Sequence, residues 1–213
     1  MRTRALSILF CTPCYGGMVT EPHFRSALNL KEQLTEIGLE HDWLTGANES
    51  LVTRARNEMT ASYLSTRHSH MMWLDADIEF EAQDVAKLWN LDADIAAGAY
   101  AMKKPGERWY AAWVKGKLVK DLDAYDGPVE ADYAGTGFML IKREVIEKLA
   151  QDAPVYQAQG GSHVRAIYQT PVHEGVFESE DFHFCRVAKK AGFKLLLEPN
   201  VRLTHWGQSA YGP

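Results

Sequence analysis

Hydrophobic positions in the first hundred residues switch between the two periods that separate strands from helices. Leu6 to Cys11 is a short apolar run and predicts a first strand. From Phe24 to Ile37 the apolar residues Phe24, Ala27, Leu28, Leu34 and Ile37 fall near helical spacing, and Gly38 supplies a stop. Leu39 to Leu44 predicts a second strand. Asn48 is placed to cap a helix over Glu49 to Leu64, whose stripe is Leu51, Val52, Ala55, Met59 and Tyr63. The run His70 to Leu74 predicts a buried strand, Glu81 to Leu91 a helix, and Ile95 to Tyr100 a small-residue strand. Strands alternating with helices imply a parallel sheet with helices on its faces.

The second half is less regular. Trp109 to Val114, Lys117 to Lys120 and Gly137 to Ile141 predict strands, and Glu144 to Ala150 a helix. Ala153 to Glu178 is punctuated by glycine, proline and histidine without a sustained period. A loop of that length is expected to be a functional lid or a disordered segment. Ser179 to Ala191 predicts a helix closed by Lys189, Lys190 and Gly192. Leu195 to Leu197 is a last strand, and Val201 to Gly207 a tail that carries His205.

Two carboxylates, Asp75 and Asp77, end the strand His70 to Leu74 with only Ala76 between them. In an open α/β sheet, ligands bind beyond the carboxyl ends of the strands. Paired acids there suit a hard divalent cation that also holds phosphate oxygens. The tripeptide recurs as Asp92-Ala93-Asp94, and more loosely as Asp121-Leu122-Asp123. The first of these precedes its strand, on the wrong side of the sheet, and the second lies in a polar loop. Both are expected to be solvated turn carboxylates.

Composition narrows the class. The chain has 213 residues, 46% of them hydrophobic and 11% aromatic, which allows a single α/β domain with a sizeable core. A net charge of −5 speaks against a partner held through nucleic-acid phosphates. No apolar run approaches the ~20 residues of a membrane span. Ala5 to Cys11 lacks the pattern of a signal peptide, so a cytoplasmic location is expected. Three cysteines do not make a disulfide framework. Cys11-Thr12-Pro13-Cys14 has redox spacing, but Tyr15-Gly16-Gly17 follows where a helix would be needed to lower a thiol pKa. A zinc site would have to recruit His183 and Cys185. Plain thiols, buried or at the rim of the site, are the favoured reading.

Further residues complete a constellation. Thr12, Pro13 and Tyr15 close the first strand, with an aromatic ring to face a base. Arg54 and Asn57 lie three apart on one helix and offer donors to a base or phosphate. Gly135-Thr136-Gly137 precedes a strand, where missing side chains let another group approach the backbone. Glu180-Asp181 opens a helix, and His205 offers a ring nitrogen. Duller readings stand beside each. Glu180 and Asp181 suit any helix first turn, Arg54 has Glu58 one turn on, Gly135 and Gly137 suit a turn, and His205 suits a surface.

Thr12-Pro13-x-Tyr15, Arg54-x-x-Asn57, Asp75-x-Asp77, Gly135-Thr136-Gly137-Phe138, Glu180-Asp181-x-x-Phe184 and His205-x-Gly207, in that order, resemble the motifs of the GT-A glycosyltransferases. The resemblance runs from residue 8 to 207. It implies a GT-A fold in one domain, with residues 1–100 binding the nucleotide and residues 101–213, including the loop 153–178, binding the acceptor. It implies a metal-dependent transfer from a nucleotide-diphosphate sugar, most simply a UDP-sugar, to the hydroxyl of a glycan or other acceptor, with inversion. Asp77 and His205 would bind Mn²⁺ or Mg²⁺, with Asp75 on the metal shell or the ribose. Thr12, Pro13, Tyr15, Arg54, Asn57, Ala76, Gly135 and Gly137 would hold the donor. Asp181 would be the base, with Glu180 on the donor sugar or in the base role itself. His163, Arg165 and His173 are candidates for contacts from the loop. Two departures stand: no basic stretch marks a membrane acceptor, and the loop matches no motif of the family.

Two other functions remain open. A nucleotidyltransferase would need a glycine-rich loop with Arg or Lys after the first strand, where only Gly16-Gly17 occurs. A non-catalytic nucleotide-sugar-binding domain would use the same pocket. Donor sugar, acceptor and oligomeric state leave no sequence signal.

Overall fold

The computed structural model describes residues 6–47, 49–104, 106, 108–207 and 209–212. The expected cap Asn48 lies outside them. Seven strands form the central sheet, in the order Glu40–Ala47, Ser7–Cys14, His70–Leu74, Phe138–Lys142, Ile95–Ala97, Leu195–Leu197 and Val129–Glu130. Phe138–Lys142 and Val129–Glu130 run against the other five. The fold is thus mixed α/β with a mainly parallel sheet, as expected.

Alternation along the central strands explains the layers. Leu9, Cys11, Met71, Trp73, Met139 and Ile141 face one side of the sheet. There they meet Met59 and Tyr63 of α2 (Val52–Leu64), Val145 and Ile146 of α4 (Arg143–Asp152), and Phe184 and Ala188 of α5 (Glu180–Lys190). Ile8, Phe10, Met72, Leu74, Phe138 and Leu140 face the other side. They are covered by Leu30 and Leu34 of α1 (Glu21–Glu36) and Val85 and Leu88 of α3 (Ala82–Asn90). Both faces are buried, so the central strands read as continuous apolar runs.

Several boundaries moved. The first helix begins at Glu21, not Phe24, because Thr20 caps it by accepting from the His23 N–H and Pro22 sits in the first turn. The second begins at Val52. The strand expected over Ile95 to Tyr100 stops at Ala97; a Cβ on Gly98 would lie 2.4 Å from Val201, so the chain turns on a glycine packed under the C-terminal segment. Trp109 to Val114 is extended as a named strand only over Ala112–Val114.

The largest difference is the stretch 153–178, which is ordered. It folds as two hairpins, Val155–Gln157 with His163–Arg165 and Val172–His173 with Val176–Phe177. Ile167 and Tyr168 between them are buried in the core. Strands of two or three residues are too short to show a period, which is why the pattern was unreadable. Among the described residues no helix is long and apolar enough to cross a membrane.

Cys11, Cys14 and Cys185 are free and buried. Burial pushes all three thiols up from the ordinary value, Cys185 to about 12. Low-pKa redox chemistry at Cys11-x-x-Cys14 is therefore set aside.

Candidate active site

The turn that carries the paired acids is tied down on three sides. The Asp75 N–H donates to Gly137 (2.9 Å) and the Ile78 N–H returns to the Asp75 carbonyl (3.0 Å). Thr20 donates its N–H (2.9 Å) and its hydroxyl (3.2 Å) to the Ala76 carbonyl. His23, buried on α1, donates from Nδ1 to the Ile78 carbonyl at 3.1 Å. Because Phe138–Lys142 runs antiparallel to His70–Leu74, its amino end meets the carboxyl end of its neighbour, with Phe138 opposite Leu74. Gly135 and Gly137 are thereby delivered to the crevice. A Cβ on Gly137 would lie 2.8 Å from Asp75 Oδ2 and 2.9 Å from the Tyr100 ring, and one on Gly135 would lie 2.2 Å from the Tyr100 oxygen. Both positions require the missing side chain for close approach.

Asp75 and Asp77 point to different partners. Asp75 accepts from Arg56 Nη2 at 2.9 and 3.2 Å. Asp77 accepts from Lys103 through Oδ2, while its Oδ1 lies 3.5 Å from His205 Nε2. Burial opposes ionisation of Asp77, yet the hydrogen bonds from His205 and Lys103 outweigh it and hold the carboxyl down to about 2.

Strand pairing brings the imidazole to this point. Thr204–Trp206 pairs antiparallel with Ile78–Glu79, so His205 stands opposite Ile78, and the Trp206 N–H donates to the Asp77 carbonyl at 2.7 Å. His205 Nδ1 lies 2.9 Å from the Ala101 carbonyl, which can only accept, so Nδ1 carries a proton, and Nε2 is the nitrogen turned to Asp77. Metal-ligating histidines are fixed in this way.

The residues fit a divalent ion. Bonds of about 2.1 Å set two neighbouring donors roughly 3.0–3.4 Å apart, close to the spacing of Nε2 and Oδ1. Among the described residues no group of three His, Cys, Asp or Glu side chains gathers to hold an ion. An ion here would need oxygens from its substrate, as hard cations at phosphate sites do.

Arg56 joins the two acidic motifs. Its side chain is 3% exposed, its Nε stands 3.5 Å from Glu180 Oε1, and its guanidinium lies 4.9 Å from the Trp73 ring centroid. Burial pushes the Glu180 carboxyl up, and Arg56 only partly offsets that. Asp181, next on α5, accepts through Oδ1 from the Ser179 hydroxyl and the Phe182 N–H. Tyr100 is a buried phenol pushed up by burial and by the nearby charges of Asp75 and Asp181, so it stays protonated; its oxygen accepts from the Gly137 N–H at 3.3 Å.

Beside the acids lies a cleft of about 520 Å³. Pro13, Tyr15, Ala76, Asp75 and Asp77 line it, together with Met18, Thr20, Glu49 and Val52. Tyr15 is largely exposed there, whereas Thr12 is buried beneath. Arg54 and Asn57 do not share a target. Arg54 pairs with Glu49, not with Glu58, at the rim of the cleft. Asn57 is buried and spends both ends of its amide on the Tyr168 backbone, at 2.9 and 2.8 Å. His163, Arg165 and His173 stand exposed on the hairpins and do not line the cleft. Asp94 serves the Lys194 N–H, Asp92 pairs with Lys142, and Asp123 pairs with Arg202, so the two other acidic tripeptides are turn carboxylates.

Sequence reading missed Arg56, Lys103 and Tyr100. For Arg56 a signal existed: it is one turn after Val52 and one before Thr60, a cation set in the helix's apolar stripe. Lys103 carried none, since a lysine in a polar loop is ordinarily solvated.

No family model and no curated protein matches the chain. Solved structures do. A197 from STIV is 21% identical with a TM-score of 0.61, over 95% of this chain and 86% of that one. GalNAc-T7, solved with UDP, GalNAc and Mn²⁺, is 14% identical with a TM-score of 0.51, over 96% of this chain and 44% of that one. The inositol-1-phosphate CTP transferase from T. maritima is 11% identical with a TM-score of 0.50, over 97% and 91%. Identities this low speak for the fold alone, and the chain has the GT-A-like α/β fold found in a sugar transferase and a nucleotidyltransferase.

Proposed function

We propose that the protein is a metal-dependent glycosyltransferase that moves a sugar from a nucleotide-diphosphate donor, most simply a UDP-sugar, to an acceptor hydroxyl with inversion. The observation that carries this reading is the pair of Asp77, which lines the cleft, and His205 behind it, with His205 Nε2 directed to Asp77 Oδ1 at 3.5 Å. Asp77 and His205 would hold Mn²⁺ or Mg²⁺, which when bound neutralises charge on the departing diphosphate. Asp75, fixed by Arg56, would take the ribose or the metal's water shell. Tyr15 and Pro13 would face the base, and Gly135 and Gly137, against which Tyr100 and Asp75 pack, would serve the donor by setting Asp75 in place. Asp181 would take the acceptor's proton, since Glu180 faces Arg56. In this reading residues 1–100 hold the nucleotide, and residues 101–213, with the hairpins of 153–178, receive a glycan or other hydroxyl acceptor.

Calorimetric titration of UDP, GDP, ADP and CDP, with and without Mn²⁺, tests it. Metal-dependent binding of one nucleotide, lost in Asp77→Ala, is the expected result. Absence of binding by all four would sink the proposal. One feature favours nucleotidyl transfer instead: Gly16 and Gly17 turn with φ of 65° and 70°, a backbone able to wrap phosphate. No Arg or Lys stands between Cys14 and Thr20, however. Release of pyrophosphate from a nucleoside triphosphate and a sugar phosphate would move the assignment there.

A further inference from the structure

We propose that Lys103 is a mobile cation beside the cleft, standing on Asp77 until a divalent ion takes that carboxylate and then moving to the donor's diphosphate. The inference rests on the metal–diphosphate reading above.

The segment 101–103 touches both members of the pair. The Ala101 carbonyl fixes His205 Nδ1 at 2.9 Å, and two residues on, the Lys103 ammonium contacts Asp77 Oδ2. The lysine thus supplies positive charge to the carboxylate that an ion would use. Formal charge makes the arrangement incomplete. Asp75 and Glu180 share Arg56, Asp77 pairs with Lys103, and the charge of Asp181 reaches Tyr100 as that of Asp75 does, which makes four negative against two positive. A divalent ion balances that difference, and since Arg54 at the rim is paired with Glu49, a diphosphate gains a cation from this group only if one is freed.

Arg56 cannot be freed, because it is 3% exposed and engaged by Asp75 and Glu180. Lys103 can, because its side chain is 35% exposed and its charge ends a flexible four-carbon stem. The stem passes over Gly207, where a Cβ would lie 3.1 Å from Lys103 Cδ, so at that residue no side chain crowds it. Neighbouring Lys104 is different: its ammonium lies 3.5 Å from the Trp109 ring centroid, turned to another partner. A lysine serves a diphosphate as a point charge and needs no fixed fork geometry.

The mobile cation predicts effects of opposite sign. In Lys103→Met, Mn²⁺ alone should bind about 2–5-fold more tightly, the size of one partly exposed ion pair no longer competing. UDP titrated at saturating Mn²⁺ should bind roughly ten-fold more weakly, the loss of a charged contact to phosphate. Lys104→Met should match the wild type in both titrations. Calorimetry of the whole chain reads both quantities without an activity assay. A Lys103→Met protein with unchanged affinities, or with weaker Mn²⁺ binding, overturns the inference and makes Lys103 a static ion-pair partner. Should the wild type bind neither Mn²⁺ nor UDP, the functional reading fails instead, so the two failures are told apart.

Discussion

His205 Nε2 stands 3.5 Å from Asp77 Oδ1 although most of the sheet is built from the chain between them. Nothing local holds the two together; the pairing of Thr204–Trp206 with Ile78–Glu79 does. In the proposed reading, this contact is where a cation would bind.

Removing either member should therefore leave the fold and lose the ion. Asp77→Ala and His205→Ala are each expected to raise the Kd for Mn²⁺-dependent UDP binding by at least about 100-fold, beyond the 10–100-fold typical of a supporting residue. Circular dichroism should show an unchanged fold. Full-strength binding by both variants would remove the metal pair from the mechanism.

Arg56 predicts a stability effect. With Met in its place, Asp75 and Glu180 lose their common cation in a site where neither is well solvated. Removal of one partner from a buried ionic cluster costs several kcal/mol, and about 2–4 kcal/mol is expected here given the partial exposure of Asp75. Urea unfolding of Arg56→Met measures it. A loss below about 1 kcal/mol would show that the two acids do not depend on it.

Asn57 ties the hairpin region to α2. Asn57→Ala leaves the Tyr168 N–H and carbonyl buried without partners, a cost of about 1–3 kcal/mol. Limited proteolysis should then cut within 153–178 much earlier than in the wild type, while nucleotide binding at the cleft survives. Equal cleavage rates would mean that Tyr168's hydroxyl, which accepts from Trp73 Nε1 at 2.7 Å, anchors the region alone.

His70 sets an acid limit. Burial, with help from Lys142, holds its imidazole down to about 4, against 6.5 in the unfolded chain. Between those values the unfolded chain binds the extra proton, so stability is complete above 6.5 and falls as pH drops toward 4. The loss amounts to at most about 3 kcal/mol. His70→Gln should flatten the slope in that window, as thermal unfolding at stepped pH would reveal. A slope unchanged in the variant would assign the acid sensitivity to other groups.

What could be read in the sequence follows from how each residue is held. His70–Leu74 is buried on both faces, so its run was unbroken and its acids fell at a visible strand end. Gly135 and Gly137 were legible because close approach demands glycine. Arg54 and Asn57 were legible as a pair three apart but not in their targets, which depend on Glu49 and on the Tyr168 backbone 111 residues away in sequence. Lys103 could not be found by any period or motif, because its partner is chosen by the path of the chain from Gly98 to Tyr110. The hairpins of 153–178 hid for a related reason: Val164, Ile167 and Tyr168 carry their burial, and three residues make no pattern.

The strand Thr204–Trp206 also fixes when the site can exist. A chain emerging from the ribosome makes Asp75 and Asp77 before four of the seven strands of the sheet, and their strand can pair with Ser7–Cys14 soon after. Gly137, the α5 acids and finally the imidazole arrive in that order. Until residue 205 is out and paired beside Ile78, the nascent protein holds Asp75 and Asp77 without the imidazole that the proposed cation site calls for.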